Sequence, residues 1–289
     1  MSADAGKPSA VYDADKPVFK TEAKVLGLPA SAWPRILLPI AIGVATLSGW
    51  EAVVRINDIP PYILPGPILV GKSLIQDWWT LFPSLMVTVK IMALALTVAV
   101  VGGVTLAVLF TLSKWVELSF FPYAVVLQVT PIVAIAPLIL IYVDETWVAL
   151  LICAWIVAFF PILSNTTLSL NSADHNLLNL FQLYGASRVQ VLWHLRLPSA
   201  MPYFLGGLRI AGGLSLICAV VAEFAAGTAG SGSGLAYRIL EAGYRLNIPR
   251  MFAALIMISL TGIVIFLFFT FVSHMALRKW HESAVKREN

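Results

Sequence analysis

The run Gly66-Pro-Ile-Leu-Val-Gly71-Lys72-Ser73 fits the spacing G-x-x-x-x-G-K-[ST], in which backbone N–H groups cradle phosphates and the lysine meets their charge. That chemistry needs a hydrophobic strand entering the loop and a parallel sheet around it. Pro60, Pro61 and Pro65 precede the run, and a strand cannot form across residues that lack an N–H. The run therefore reads as a loop entering a short interfacial helix, with Trp78 and Trp79 at headgroup level. Other reactive residues are sparse. His175, His194, His274 and His281 show no metal-ligand spacing, and neither do Cys153 and Cys218, so the expectation is no metal, no catalytic residue and no enzyme.

Those residues sit in a chain built for lipid. Of its 289 residues 59% are hydrophobic and only 12% charged, and mean hydropathy is +0.87. The apolar residues come in runs that reach the ~18–20 residues needed to cross a bilayer core. This excludes a soluble enzyme with one buried core. Six spans are expected: Ile36–Val54, Ser84–Phe110, Val116–Val143, Thr146–Leu170, Pro202–Ala226 and Met251–Leu277. No internal repeat is evident. The expected domains are a polar tail at 1–34, a transmembrane domain at 35–280 and a second tail at 281–289.

Basic residues orient the spans, because cytoplasmic loops are enriched in Lys and Arg. Lys7, Lys16, Lys20, Lys24, Arg35, Lys114, Arg188, Arg196, Arg278, Lys279, Lys286 and Arg287 fall on one side. Arg55, Lys72, Arg238, Arg245 and Arg250 fall on the other. The richer side is the cytoplasm, so both termini face inward. The net charge of +4 then reflects basic loops, not nucleic-acid binding.

Ionisable residues within spans are costly and are functional candidates. Glu51 and Lys90 lie near outer ends, where snorkelling explains them. Arg209 reads as structural or interfacial. Glu223 either pairs across a dimer or gates a cavity. Pro131 and Pro137 free backbone carbonyls in the third span, so with Gln128 and Thr130 they either line a path or mark tolerated kinks. Gly102-Gly103, Gly207 with Ala211, and Gly212-Gly213 permit close helix contacts.

The segment at about 171–201 is amphipathic and too short and polar to span. Leu177, Leu180, Phe181, Tyr184 and Val191 recur at helical spacing, opposite Asp174, Asn179, Gln182, Ser187, Arg188 and Gln190. Gly185 interrupts it and Leu197-Pro198 ends it, giving a short helix, a turn and a second short helix. On physical grounds an interfacial helix and a docking helix are equally good readings.

Gly185-Ala186-Ser-Arg188-Val-Gln-Val-Leu-Trp-His-Leu195-Arg-Leu197-Pro198 resembles the coupling loop of binding-protein-dependent ABC importer permeases. The loop's usual opening Glu-Ala-Ala would fall at Asn179-Leu180-Phe181 and is absent. Gly206-Gly-Leu-Arg209-Ile210, Pro131-Ile-Val-Ala-Ile-Ala-Pro137-Leu138 and Ile63-Leu-Pro-Gly-Pro67 are similar to the nitrate, sulfonate and taurine permease group.

The resemblance implies an all-α integral membrane fold with six transmembrane helices and a cytoplasmic coupling helix, like a type I ABC importer permease. It implies a homodimer in the inner (plasma) membrane of a bacterium, a separate cytoplasmic ATPase dimer carrying ATP and Mg, and an extracytoplasmic solute-binding protein. No cofactor is then expected on this chain. The binding protein would dock on the first external loop and on residues 227–250, where a glycine-serine stretch (227–234) precedes a short helix at Leu235–Tyr244. The solute is a small molecule: a sulfonate, a nitrate-like ion, or a pyrimidine or vitamin precursor. A secondary transporter without an ATPase is the alternative. It would leave the coupling segment idle and should show two related halves with broken helices.

Overall fold

The computed structural model describes residues 24–25, 28–29, 32–227 and 232–278, with side chains over 37–227 and 232–278. Nearly all of the expected tail at 1–34, the whole tail at 281–289, His281 and residues 228–231 of the glycine-serine stretch lie outside the described residues.

The chain divides into two compact units, Met1–Asp58 and Ile59–Asn289. The first holds helix α1 (Ala32–Ile56) and a two-residue antiparallel ladder that pairs Lys24 with Pro29 and Val25 with Leu28.

The second unit is helical. It comprises α2 (Pro67–Gln76), α3 (Trp78–Leu112), α4 (Lys114–Val129), α5 (Ile132–Tyr142), α6 (Thr146–Asn171), α7 (His175–Leu183), α8 (Arg188–Val191), a π-helical turn (Leu192–Arg196), α9 (Leu197–Ala226), α10 (Leu235–Tyr244) and α11 (Ile248–Leu277). Helices α1, α3, α6, α9 and α11 are each long and apolar enough to cross a membrane. Counting α4 and α5 as one broken span brings the number among the described residues to six.

Local chemistry sets the ends. Pro67 opens α2, where its missing N–H breaks no bond. Asp174 caps α7 by accepting from Asn176 N–H, and Asn247 caps α11 by accepting from Arg250 N–H. Gly227, at φ 55°, closes α9 in the left-handed conformation glycine adopts without strain.

Two expectations need correction. The third span is not continuous. Helices α4 and α5 meet at 100°, with Thr130 extended (ψ 121°) before Pro131. Proline bars the helical conformation from the residue before it and removes a ladder donor, so the break falls there. Second, Leu197-Pro198 does not end the second short helix. Helical structure continues from Arg188 through the π turn to Ala226. Pro198 lies in the first turn of α9, and the π turn before it has already shifted the hydrogen-bond ladder.

Helices α3, α6 and α9 form the packed centre. Glycine decides the spacing at three crossings. A Cβ on Gly103 would lie 2.9 Å from Ile162, one on Gly207 2.8 Å from Asn165, and one on Gly212 2.6 Å from Phe269. Bulkier residues would push these helices apart. At the end carrying α2 and α10, a smaller core joins Val70, Leu81, Leu235, Ile239, Ala254 and Met257.

The phosphate-loop spacing is settled by α2. Gly66 is the residue before the helix, and Gly71, Lys72 and Ser73 are inside it. Their N–H groups after the first turn are committed to helix hydrogen bonds, so no loop exists to cradle a phosphate.

Candidate functional site

The amphipathic segment forms a two-helix projection. Helix α7 ends in a paired set of turn bonds: Gly185 N–H donates to Gln182 C=O (3.0 Å) and Ala186 N–H to Phe181 C=O (3.0 Å). This closure requires a left-handed residue, and Gly185 has φ +66°. Ser187 then starts α8 with a reciprocal cap. Its N–H donates to Gln190 Oε1 at 2.7 Å, and Gln190 N–H donates to its hydroxyl at 3.3 Å. Gly185-Ala-Ser-Arg-Val-Gln is thus a stop signal followed by a start signal, which fixes the turn between the two helices.

The projection is tied to the bundle by polar and apolar contacts. Arg188 donates to the Leu112 carbonyl at the end of α3 (3.4 Å), and Arg196 to Asn171 Oδ1 (3.4 Å). Leu195 is buried, and Leu192 and Leu197 pack into the central core. The aliphatic half of the motif therefore anchors the segment. Its exposed half is Asn179, Leu180, Gly185 and Tyr184, the last 83% exposed. Phe181 and Ala186 are half-buried, and Pro198 is exposed. Leu180, Phe181, Tyr184, Gly185, Gln190 and His194 line an open groove of about 410 Å³ between the two helices.

Sequence periodicity missed Leu183, 85% exposed beside Tyr184. It lies three residues beyond Leu180 on the same helical face, which is the signal that finds it. Val189 and Trp193 extend the exposed apolar surface onto α8 and the π turn.

The residues expected along a path lie on α4, on α5, at the break between them and on α9. Gln128 is exposed on α4, Thr130 donates to Val126 C=O at 2.7 Å, Pro131 stands at the break, and Pro137 is exposed inside α5. Glu223 lies far from them in sequence and is 2% exposed, with its Oε2 accepting from Ala236 N–H at 3.0 Å. Two in-span cations rest on rings: Lys90 lies 6.0 Å from the Trp147 centroid and Arg209 5.3 Å from that of Phe266.

At the same end as α10, a polar network joins the helix ends. Arg250 pairs with Asp77, which also accepts from Ser73 at 3.0 Å. The Arg250 hydrogen bond holds the Asp77 carboxyl below the usual carboxylate range. Glu241 is held low by its bond to Arg238 (2.8 Å) and by Arg245 (3.0 Å). Among the described residues no cluster of His, Cys, Asp or Glu could hold a metal.

The chain matches the family model of the binding-protein-dependent transport system inner membrane component over residues 99–278. It is 30% identical over 275 residues to the riboflavin transport system permease protein RibX of Chloroflexus aurantiacus, covering 92% of this chain and 98% of that one. It is 32% identical over 216 residues to the formylaminopyrimidine transport permease protein ThiX of Halalkalibacterium halodurans, covering 74% and 84%. Among solved structures, the crystal structure of an amino acid ABC transporter with histidines superposes with a TM-score of 0.58 at 19% identity, covering 72% of this chain and 97% of that one. That likeness concerns the fold.

Proposed function

Because this chain belongs to the family of binding-protein-dependent transport system inner membrane components, we propose that α7, the Gly185 turn and α8 form the docking element through which a separate ATPase drives it. The chain is a multi-pass inner-membrane permease subunit of an ABC importer for a small solute.

In this reading two copies form the channel, and two ATPase chains carrying ATP and Mg sit beneath them. A solute-binding protein delivers cargo from outside. Both termini face the cytoplasm, as the Lys and Arg distribution favours. The observation that carries the docking assignment is the exposed apolar face of Leu180, Leu183 and Tyr184, on a projection held rigid by the Gly185 turn and the Ser187 cap. Apolar side chains on a capped helix suit a groove in a partner. Arg188 and Asn179 supply its polar rim. Closure of the ATPase dimer on ATP would draw the two projections together and bias the spans toward the outward-open state. A transporter without an ATPase gives this face no partner.

The solute is proposed to be a nitrogen heterocycle of the vitamin or vitamin-precursor class. The relatives RibX and ThiX favour it.

Affinity purification of the tagged chain in mild detergent tests the docking. An ATPase should co-purify with the native chain and be lost with Gly185→Trp, while the variant remains folded. Recovery of the ATPase with both would overturn the assignment. The co-purified binding protein can be titrated with riboflavin, a formylaminopyrimidine, taurine and nitrate. Tight binding of either anion and of neither heterocycle would overturn the solute class.

A further inference from the structure

Helix α10 has no cap of its own. Its N-cap is Gly234, which carries no side chain, so the first N–H groups of the helix need acceptors from elsewhere. Two transmembrane helices supply them. Leu235 N–H donates to Thr88 Oγ1 of α3 at 2.9 Å, and Ala236 N–H donates to Glu223 Oε2 of α9 at 3.0 Å. Both acceptors are buried. A Cβ on Gly234 would run into the Glu223 carboxylate, so a larger residue there would displace that acceptor.

The rest of α10 packs against α11 as well as these two spans, with Leu235 and Ile239 sharing a core with Ala253, Ala254 and Met257. Leu235, Ala236, Ile239 and Ala242 are buried, and Arg238 donates its Nε–H to Ser84 Oγ of α3 at 2.9 Å. A cap shared between two helices is satisfied at one relative placement of those helices. If α3 and α9 part by even about an ångström at this end, one of the two bonds breaks. The freed N–H then needs water, because a buried donor without a partner is costly.

We infer that α10 is a gate helix, latched shut by shared capping from Thr88 and Glu223, which must unlatch each time α3 and α9 separate to open the outward face. This rests on the importer reading above and adds the element that closes the external end. Thr88 and Glu223 are positioning residues: they act through α10 and not on solute.

Hydrogen–deuterium exchange on the assembled transporter in lipid nanodiscs tests this. Residues 232–244 should be protected without nucleotide and exchange about tenfold faster when ATP and vanadate trap the ATPase. Thr88→Val and Glu223→Ala should raise exchange in 232–244 by a similar factor without nucleotide. Thr88→Ser should restore protection, which separates loss of the bond from misfolding. Residues 175–191 serve as the second readout. If they respond to nucleotide and 232–244 do not, the gate is overturned and the docking element stands. If neither responds while ATP is hydrolysed, both the gate and the docking element fall. If the variants leave exchange in 232–244 unchanged, the latch is wrong.

Discussion

Gly212 brings the backbone of α9 so close to Phe269 of α11 that a Cβ there would lie 2.6 Å from the ring. Its neighbour Gly213 has nothing within 4 Å of the same position. Two adjacent glycines in one helix thus have opposite tolerances. Gly212→Ala should destabilise the chain by about 1–3 kcal/mol through overpacking. Gly213→Ala should be neutral or stabilising by up to ~1 kcal/mol, because alanine is the better helix former. Thermal unfolding of both variants in detergent checks this, and Phe269→Leu should recover part of the Gly212→Ala loss.

At Gly185 the constraint is backbone and not space. Nothing lies within 4 Å of its Cβ position, yet φ is +66°. Gly185→Asn should be better tolerated than Gly185→Val, since asparagine enters the left-handed region more readily and a β-branched residue does not. The expected order of solute uptake by the assembled transporter is native, Asn, Val. Equal uptake by all three would mean that the turn between α7 and α8 is dispensable.

The Asp77–Arg250 pair ties the start of α3 to α11. The native Asp77 carboxyl titrates below its usual range, so the pair's contribution is fully present above that range and is lost as pH falls through the lower native value. Asp77→Asn should cost about 1–3 kcal/mol at pH 7. The gap in melting temperature between the variant and the native chain should close as pH drops below about 4. A gap independent of pH would remove the ion pair as its cause.

Pro131→Ala returns an N–H to the α4–α5 junction and lifts the restriction on Thr130. Spin labels at Tyr123 and Tyr142, both exposed, read the bend. At ~1.5 Å rise per residue the separation should grow from about 19 Å in the native chain toward about 28 Å if the helices become continuous. No change would assign the bend to packing and not to proline.

Lys72→Ala should leave both uptake and ATP hydrolysis unchanged, with stability within about 0.5 kcal/mol. Lys72 is an exposed residue inside α2. A loss of nucleotide binding to this chain would contradict the helical placement of the run.

Much of this protein was legible as one-dimensional pattern. Apolar runs long enough for a bilayer mark the spans, and the short helix at Leu235–Tyr244 was expected after the glycine-serine stretch. The turn at Gly185 was legible for the same reason: helix stop and start signals are local, and a glycine followed by Ser-x-x-Gln carries both. Whether Pro198 ends a helix was not legible from the proline itself. The π turn at Leu192–Arg196 carries the helix through it. The roles of Glu223 and Thr88 were further from reach. They lie 135 residues apart in the chain (223 less 88), on two different spans, and each accepts an N–H from the start of α10. Composition and spacing alone determine which residues must leave water. It takes the tertiary structure to show which buried donor each buried acceptor finds, because that pairing depends on distances between helices that no spacing along the chain encodes.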